Sequence, residues 1–102
     1  MARSRIELQA LLETILGTRN VYFQPPATIR MSYPCIVYSL TRGLNRYADN
    51  IKYRNLRQYS VTVIDRSPTS KIADAIELLD YCELNTTFAH ENLNHYVFTL
   101  YF

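Results

Sequence analysis

The sequence predicts an α+β fold: a small antiparallel or mixed sheet with two helices packed on one face, in the order α-β-β-β-α-β-β. Three observations carry this expectation. Residues 3–16 and 68–80 repeat apolar side chains at helical spacing, whereas the intervening and following stretches are rich in Val, Ile, Tyr and Phe and are punctuated by Pro and Asn. Three such stretches separate the two helices, which excludes a sheet wound as alternating parallel strands and helices.

The elements follow in order. Leu8, Leu11, Leu12, Ile15 and Leu16 form one apolar stripe, and Gly17 stands where helices commonly end in a left-handed residue. Val21-Tyr22-Phe23 reads as a short strand stopped by Gln24-Pro25-Pro26, because proline cannot donate to a sheet ladder. Cys35 to Leu40 is apolar at both alternating sets of positions, as a central strand covered on two sides would be. Residues 41–55 hold no sustained period and read as a connection far longer than the usual two to five residues of a hairpin loop. In residues 56–65, Tyr59, Val61 and Val63 alternate with Ser60 and Thr62, which predicts a strand. Ser67 and Pro68 suit the cap and first position of a second helix, whose stripe is Ile72, Ala75, Ile76 and Leu79. A short strand at 85–89, a turn at 91–94 and a terminal strand at 95–102 complete the chain. Tyr22, Tyr38, Tyr96 and Tyr101 are expected on the sheet face away from the helices, as an amphipathic cover for a partner.

The 102 residues, 48% apolar and 20% charged, fit one domain spanning 1–102. A chain of this length buries roughly 60–70% of its unfolded surface, which supports one modest core but no large enclosed substrate cavity. Cys35 and Cys82 supply neither a disulfide framework nor a four-ligand metal site, no CxxC or HExxH occurs, and both read as reduced intracellular thiols. Met1-Ala2-Arg3-Ser4-Arg5 runs into a pattern interrupted by Glu7, Gln9 and Glu13, so neither a signal-peptide core nor a membrane span can be drawn, and folding in a cytoplasm is expected.

The formal net charge is only +2, yet it is unevenly spread. Residues 14–64 carry Arg19, Arg30, Arg42, Arg46, Lys52, Arg54 and Arg57 against Asp49 alone; residues 65–102 carry Arg66 and Lys71 against six carboxylates. A basic middle and an acidic end imply a polyanionic partner, complementary patches meeting between copies of the chain, or simply solvated charges within a monomer. The residues singled out as a partner or subunit interface are Arg42, Arg46, Tyr47, Lys52, Tyr53, Arg54 and Arg57 on one side and Asp74 and Glu77 on the other. Interleaved Arg and Tyr also suit phosphate attraction with base stacking, but the chain lacks a glycine-rich phosphate loop and the aromatic consensus of an RNA-recognition sheet. His90, Glu91, Asn92, Asn94 and His95 cluster near the last turn. Their spacing matches no helical ligand pair and brings no nucleophile to either imidazole, so a turn with left-handed Asn residues is the expectation there. Asp49 and Asp65, the other imaginable carboxylate pair, sit in different segments. No catalytic residue, metal site or cofactor is therefore assigned.

Several phrases occur together: Val21-Tyr22-Phe23-Gln24-Pro25-Pro26, Met31-Ser32-Tyr33-Pro34-Cys35-Ile36-Val37-Tyr38, Tyr47-Ala48-Asp49-Asn50, Tyr59-Ser60-Val61-Thr62-Val63-Ile64-Asp65 and Asn92-Leu93-Asn94-His95. In combination, over residues 6–102, they resemble the tail-completion or tail-terminator (head-tail joining) proteins of long-tailed bacteriophages and prophages. The resemblance implies a structural, non-enzymatic α+β subunit of a homo-oligomeric, hexameric ring. Such a ring caps the tail tube and offers the surface that joins the head, in a virion assembled in the host cytoplasm. Its partners would be further copies of itself, the tail tube protein and head connector proteins, with DNA passing through unbound, no membrane contact and no cofactor. A head-tail connector or minor capsid component is the alternative, and a nucleic-acid-binding module comes after it.

Overall fold

A computed structural model describes residues 4–26, 30–42 and 56–102. Its elements are α1 (Arg5–Leu16), β1 (Val21–Phe23), β2 (Cys35–Arg42), β3 (Gln58–Asp65), α2 (Lys71–Glu77), β4 (Cys82–His90) and β5 (Leu93–Tyr101). The class and order are those expected from the sequence. The five strands form one mixed sheet in the order β1-β2-β3-β5-β4, in which β1 and β2 are parallel and every other pair is antiparallel.

α1 begins where Ser4 Oγ accepts the Glu7 N–H at 3.2 Å, a cap that satisfies one of the four unpaired donors of the first turn. It ends at Gly17, whose φ of 85° is easy for glycine alone and whose N–H donates to Glu13 O at 2.8 Å. Leu8, Leu12 and Leu16 are buried on its inner side, with Leu11 and Ile15 flanking them. They pack on Val21, Ile36, Tyr38, Tyr59, Val61 and Val63 of the sheet, while Ala73 and Ile76 of α2 share the same core with Phe98, Leu100 and Phe102.

α2 is shorter than the 68–80 expected, and its cap is Ser70 rather than Ser67. The competing interactions are visible. Asp65 accepts the Ser67 N–H at 3.1 Å and Ser67 Oγ accepts the Thr69 N–H at 3.2 Å, folding residues 65–69 into a turn. The Tyr96 hydroxyl donates to the carbonyls of Ser67 and Pro68, which a helix starting there would have used itself. The helix therefore starts three residues later, where buried Ser70 Oγ accepts the Ala73 N–H at 3.1 Å.

β4 is longer than the expected 85–89, because a register irregularity between Leu84 and Thr86 hides its period. Leu84 pairs with Phe98 and Phe88 with His95, so these two residues, four apart, face opposite sides of the sheet. The turn into β5 is only Glu91-Asn92, with φ of 52° and 64°, as a two-residue hairpin requires. Leu93 and Asn94, assigned to the turn from sequence, pair within the sheet.

The expectation for the tyrosines needs correction. Tyr38 lies in the core beneath α1, where its hydroxyl accepts from Arg5 Nη1 at 3.2 Å and donates to Gln9 Oε1. Tyr96 also packs toward the helices, held by the 67–68 carbonyls. Ile36 and Phe98, two residues away on the same strands and on the same face, are apolar and buried, so the helix face takes both rings and the polar tips find partners at its margins. Tyr22 and Tyr101 remain on the other face, holding Ser32 N–H and Gln58 Nε2 respectively.

Candidate functional site

The side of the molecule built from α2, β4 and the last turn is acidic. Asp74, Glu77, Asp80, Glu83 and Glu91 are all exposed there, with Lys71 as their only exposed basic neighbour on these elements. Asp74 and Glu77 lie three apart, one above the other along a helix flank. They rim an open groove of about 270 Å³ whose lining includes Ala73, Leu84, Thr87, Tyr96 and Phe98. Helix and groove owe this geometry to the brevity of α2: seven residues cover only part of β5 and β4, and Leu84 is left 39% exposed.

The basic residues are placed elsewhere. Arg42 closes β2 opposite Gln58, after a second irregularity in pairing. Arg57 immediately precedes β3, is half-buried, and its carbonyl accepts the Phe102 N–H at 3.0 Å. Both belong to the β2–β3 part of the sheet, where β3 is two positions from β4 and β2 three. Arg46, Tyr47, Lys52, Tyr53 and Arg54 lie outside the described residues, as does Asp49. Of the nine interface residues named from sequence, Asp74 and Glu77 are thus brought together on one helix flank, while the backbones of Arg42 and Arg57 lie at the end of β2 and just before β3. The groove floor was missed because Leu84 and Phe98 come from strands whose mutual register the bulge obscures; the i, i+3 spacing of Asp74 and Glu77 was the signal available.

The residues around the last turn do not assemble a reaction centre. His90 ends β4 and meets Glu91 at 3.7 Å, with both side chains more than 70% exposed, a pair worth little in water. His95 sits within β5 and stacks on Phe88, ring centroids 4.5 Å apart and 8° from parallel. Asp65 is spent on the Ser67 N–H. Among the described residues no group of three or more His, Cys, Asp or Glu side chains could hold a metal ion.

The two thiols are held protonated. Burial pushes Cys35 up to about 11, and burial followed by the Glu77 carboxylate pushes Cys82 up to about 11, against a smaller opposing effect of the Glu83 backbone hydrogen bond. Neither has the depressed pKa of a reactive cysteine. Among the described residues, no helix is long and apolar enough to cross a membrane.

Compared with known proteins, the chain matches no family model, no curated protein and no solved structure.

Proposed function

We propose that this chain is a structural subunit of a long-tailed phage or prophage particle, forming a ring that caps the tail tube and offers the surface to which the head is joined. The observation that carries the reading is the separation of charge along the sequence, whose acidic part is gathered on α2, β4 and the last turn. Exposed carboxylates line α2, β4 and the final turn, whereas Arg42 and Arg57 bracket the basic middle of the sequence beside β2 and β3. A ring is a head-to-tail assembly in which each subunit offers two different, mutually complementary surfaces, and closure of the rotation ends growth. An acidic side and a basic middle segment meet that requirement. The resemblance of several sequence phrases to tail-terminator proteins supports the same reading, as does the agreement between the fold class that resemblance implies and the observed α+β architecture.

In this role the chain performs no catalysis and holds no cofactor. It acts by shape and charge, contacting further copies of itself, the tail tube and head connector proteins, while DNA passes without being gripped. Loss of the protein from a producing phage or prophage is expected to leave DNA-filled heads beside unjoined, overlong tails in negative-stain images. Normal joined virions would overturn the reading. Heads that lose their DNA while tails keep normal length would move the chain to the connector class.

A further inference from the structure

The α2–β4 groove has an apolar floor and an anionic rim, and that combination restricts what it can seat. Exposed Leu84 and the ring of Tyr96 offer apolar contact, with Ala73 and Phe98 buried behind them, while Asp74 and Glu77 stand beside it in water. The matching chemistry is an extended segment with aromatic side chains next to cations: rings bury area on the floor and the cations meet carboxylates at the rim. The middle of this chain has that composition. Arg46 adjoins Tyr47, and Lys52-Tyr53-Arg54 follows, with Asp49 as the only acid between them.

Residues 78–81 join α2 to β4 at one end of the groove, where the Tyr101 N–H donates to Tyr81 O at 3.0 Å and Cys82 pairs with Leu100. Tyr101 in turn pairs with Gln58, opposite Arg42. The other end of the lining comes from Pro68 and Thr69, at the opposite end of α2. Beside the groove runs β4, the last strand of the sheet, so its outer edge pairs with no strand among the described residues. A chain entering from outside thus meets both an amphipathic groove and a free backbone ladder.

We propose that the α2–β4 groove seats residues 46–54 of a second copy of this chain, with tyrosine on the apolar floor and Arg or Lys against Asp74 and Glu77. This rests on the reading of the chain as a ring subunit and names the contact that joins neighbours.

The test uses the full chain as an equal mixture of isotopically light and heavy copies, treated with a zero-length carbodiimide and digested for mass spectrometry. Cross-links from Lys52 to Asp74 or Glu77 are expected in peptides of mixed mass. In parallel, sedimentation velocity should show Asp74→Asn with Glu77→Gln weakening self-association by tenfold or more, and Arg46→Gln with Arg54→Gln doing the same from the other side. Circular dichroism checks that each variant is folded. Cross-links confined to single-mass peptides would mean the segment occupies its own groove and would overturn the proposal. Undiminished self-association of the acidic-side variant would overturn it while leaving the ring reading intact. A chain that stays monomeric and yields no mixed-mass link also overturns it, and the tails of the null mutant then judge the ring reading separately.

Discussion

The two edges of the sheet are finished in opposite ways. β1 is three residues long, and α1 attends to it closely: Gln9 Nε2 donates to Val21 O at 3.1 Å and the Arg5 guanidinium lies 4.6 Å from the centre of the Phe23 ring. Just past its end, Gln24 Oε1 accepts the Leu40 N–H at 3.1 Å. β4 is nine residues long and exposed over almost its whole length, with no charged residue between Glu83 and His90. Its one irregularity is the bulge at Asn85, whose amide donates to Thr99 Oγ1. Proteins usually shorten, cover or charge such an edge. Here α1 attends to the β1 edge, whereas β4 stays exposed and pairs with no strand on its outer side among the described residues.

The largest effect that can break this contrast comes from two phenylalanines on adjacent strands. Phe98 of β5 is 1% exposed in the core, and Phe98→Ala should cost about 3–5 kcal/mol in urea unfolding. Phe88 of β4 is 51% exposed and stacked on His95. Phe88→Ala should cost about 1 kcal/mol or less. Equal losses would show that β4 is held as firmly as the interior, and the edge would no longer count as unfinished.

Next in size is the attachment of α1 to the β1–β2 side. Tyr38→Phe removes the hydroxyl shared by Arg5 and Gln9 and leaves the ring in place. It should cost about 1–2 kcal/mol, because a part-buried donor and acceptor lose their partner. Hydrogen exchange at residues 21–23 should accelerate while exchange in β4 is unchanged. Uniform acceleration across the sheet would mean the two sides unfold as one unit and are not separately finished.

The sequence made the α1 half legible almost residue by residue and the α2 half less so, for reasons that follow from the same contrast. In α1 the leucine stripe and Gly17 agree, so local signals and packing point one way. In α2 the local cap at Ser67 loses to a turn built by Asp65 and closed by Tyr96, a residue 29 positions away from Ser67 that no local pattern could bring in. In β4 the extra residue at Asn85 breaks the alternation by which strands are recognised. Asp74 and Glu77 were legible as a pair of exposed charges on one helix flank because that needs no tertiary information. The groove they rim was not, since its floor depends on register. The placement of Tyr38 was misread for a related reason: with Cys35 to Leu40 apolar on both sides, period alone cannot say which side meets the helices.

A third effect, confined to alkaline pH, concerns the thiols, one on each side of the contrast. Cys35 is fully buried and pairs with Ile64; Cys82 begins β4 and is half-buried. Both are raised from an ordinary value of 9.0 to about 11. A thiol harder to ionise in the folded state contributes stability that is intact below pH 9 and is lost as pH rises from 9 through 11. For Cys35 the loss should be on the order of 1–3 kcal/mol. The difference in alkaline unfolding between the parent and Cys35→Ala isolates it from the tyrosines that ionise nearby in pH. Iodoacetamide at pH 8 should label Cys82 before Cys35; the reverse order would place the more open side at β2.

The smallest expected effect is on the stability of the monomer itself when the acidic rim is neutralised. Asp74 is in the first turn of α2, where a negative charge is favoured by the helix dipole, so Asp74→Asn should cost a few tenths of a kcal/mol, or about 0.5 at most. Glu77 is at the last helical position, where the dipole disfavours it, and its carboxylate raises the Cys82 thiol. Glu77→Gln should therefore leave stability unchanged or slightly higher and should lower the Cys82 pKa, read as faster labelling at fixed pH. The pair together would shift the unfolding midpoint hardly at all. A loss above about 1 kcal/mol for the double variant exceeds what exposed carboxylates contribute to a fold. It would mean that Asp74 and Glu77 hold their own monomer together, and the acidic side would then be as complete as the side that α1 covers.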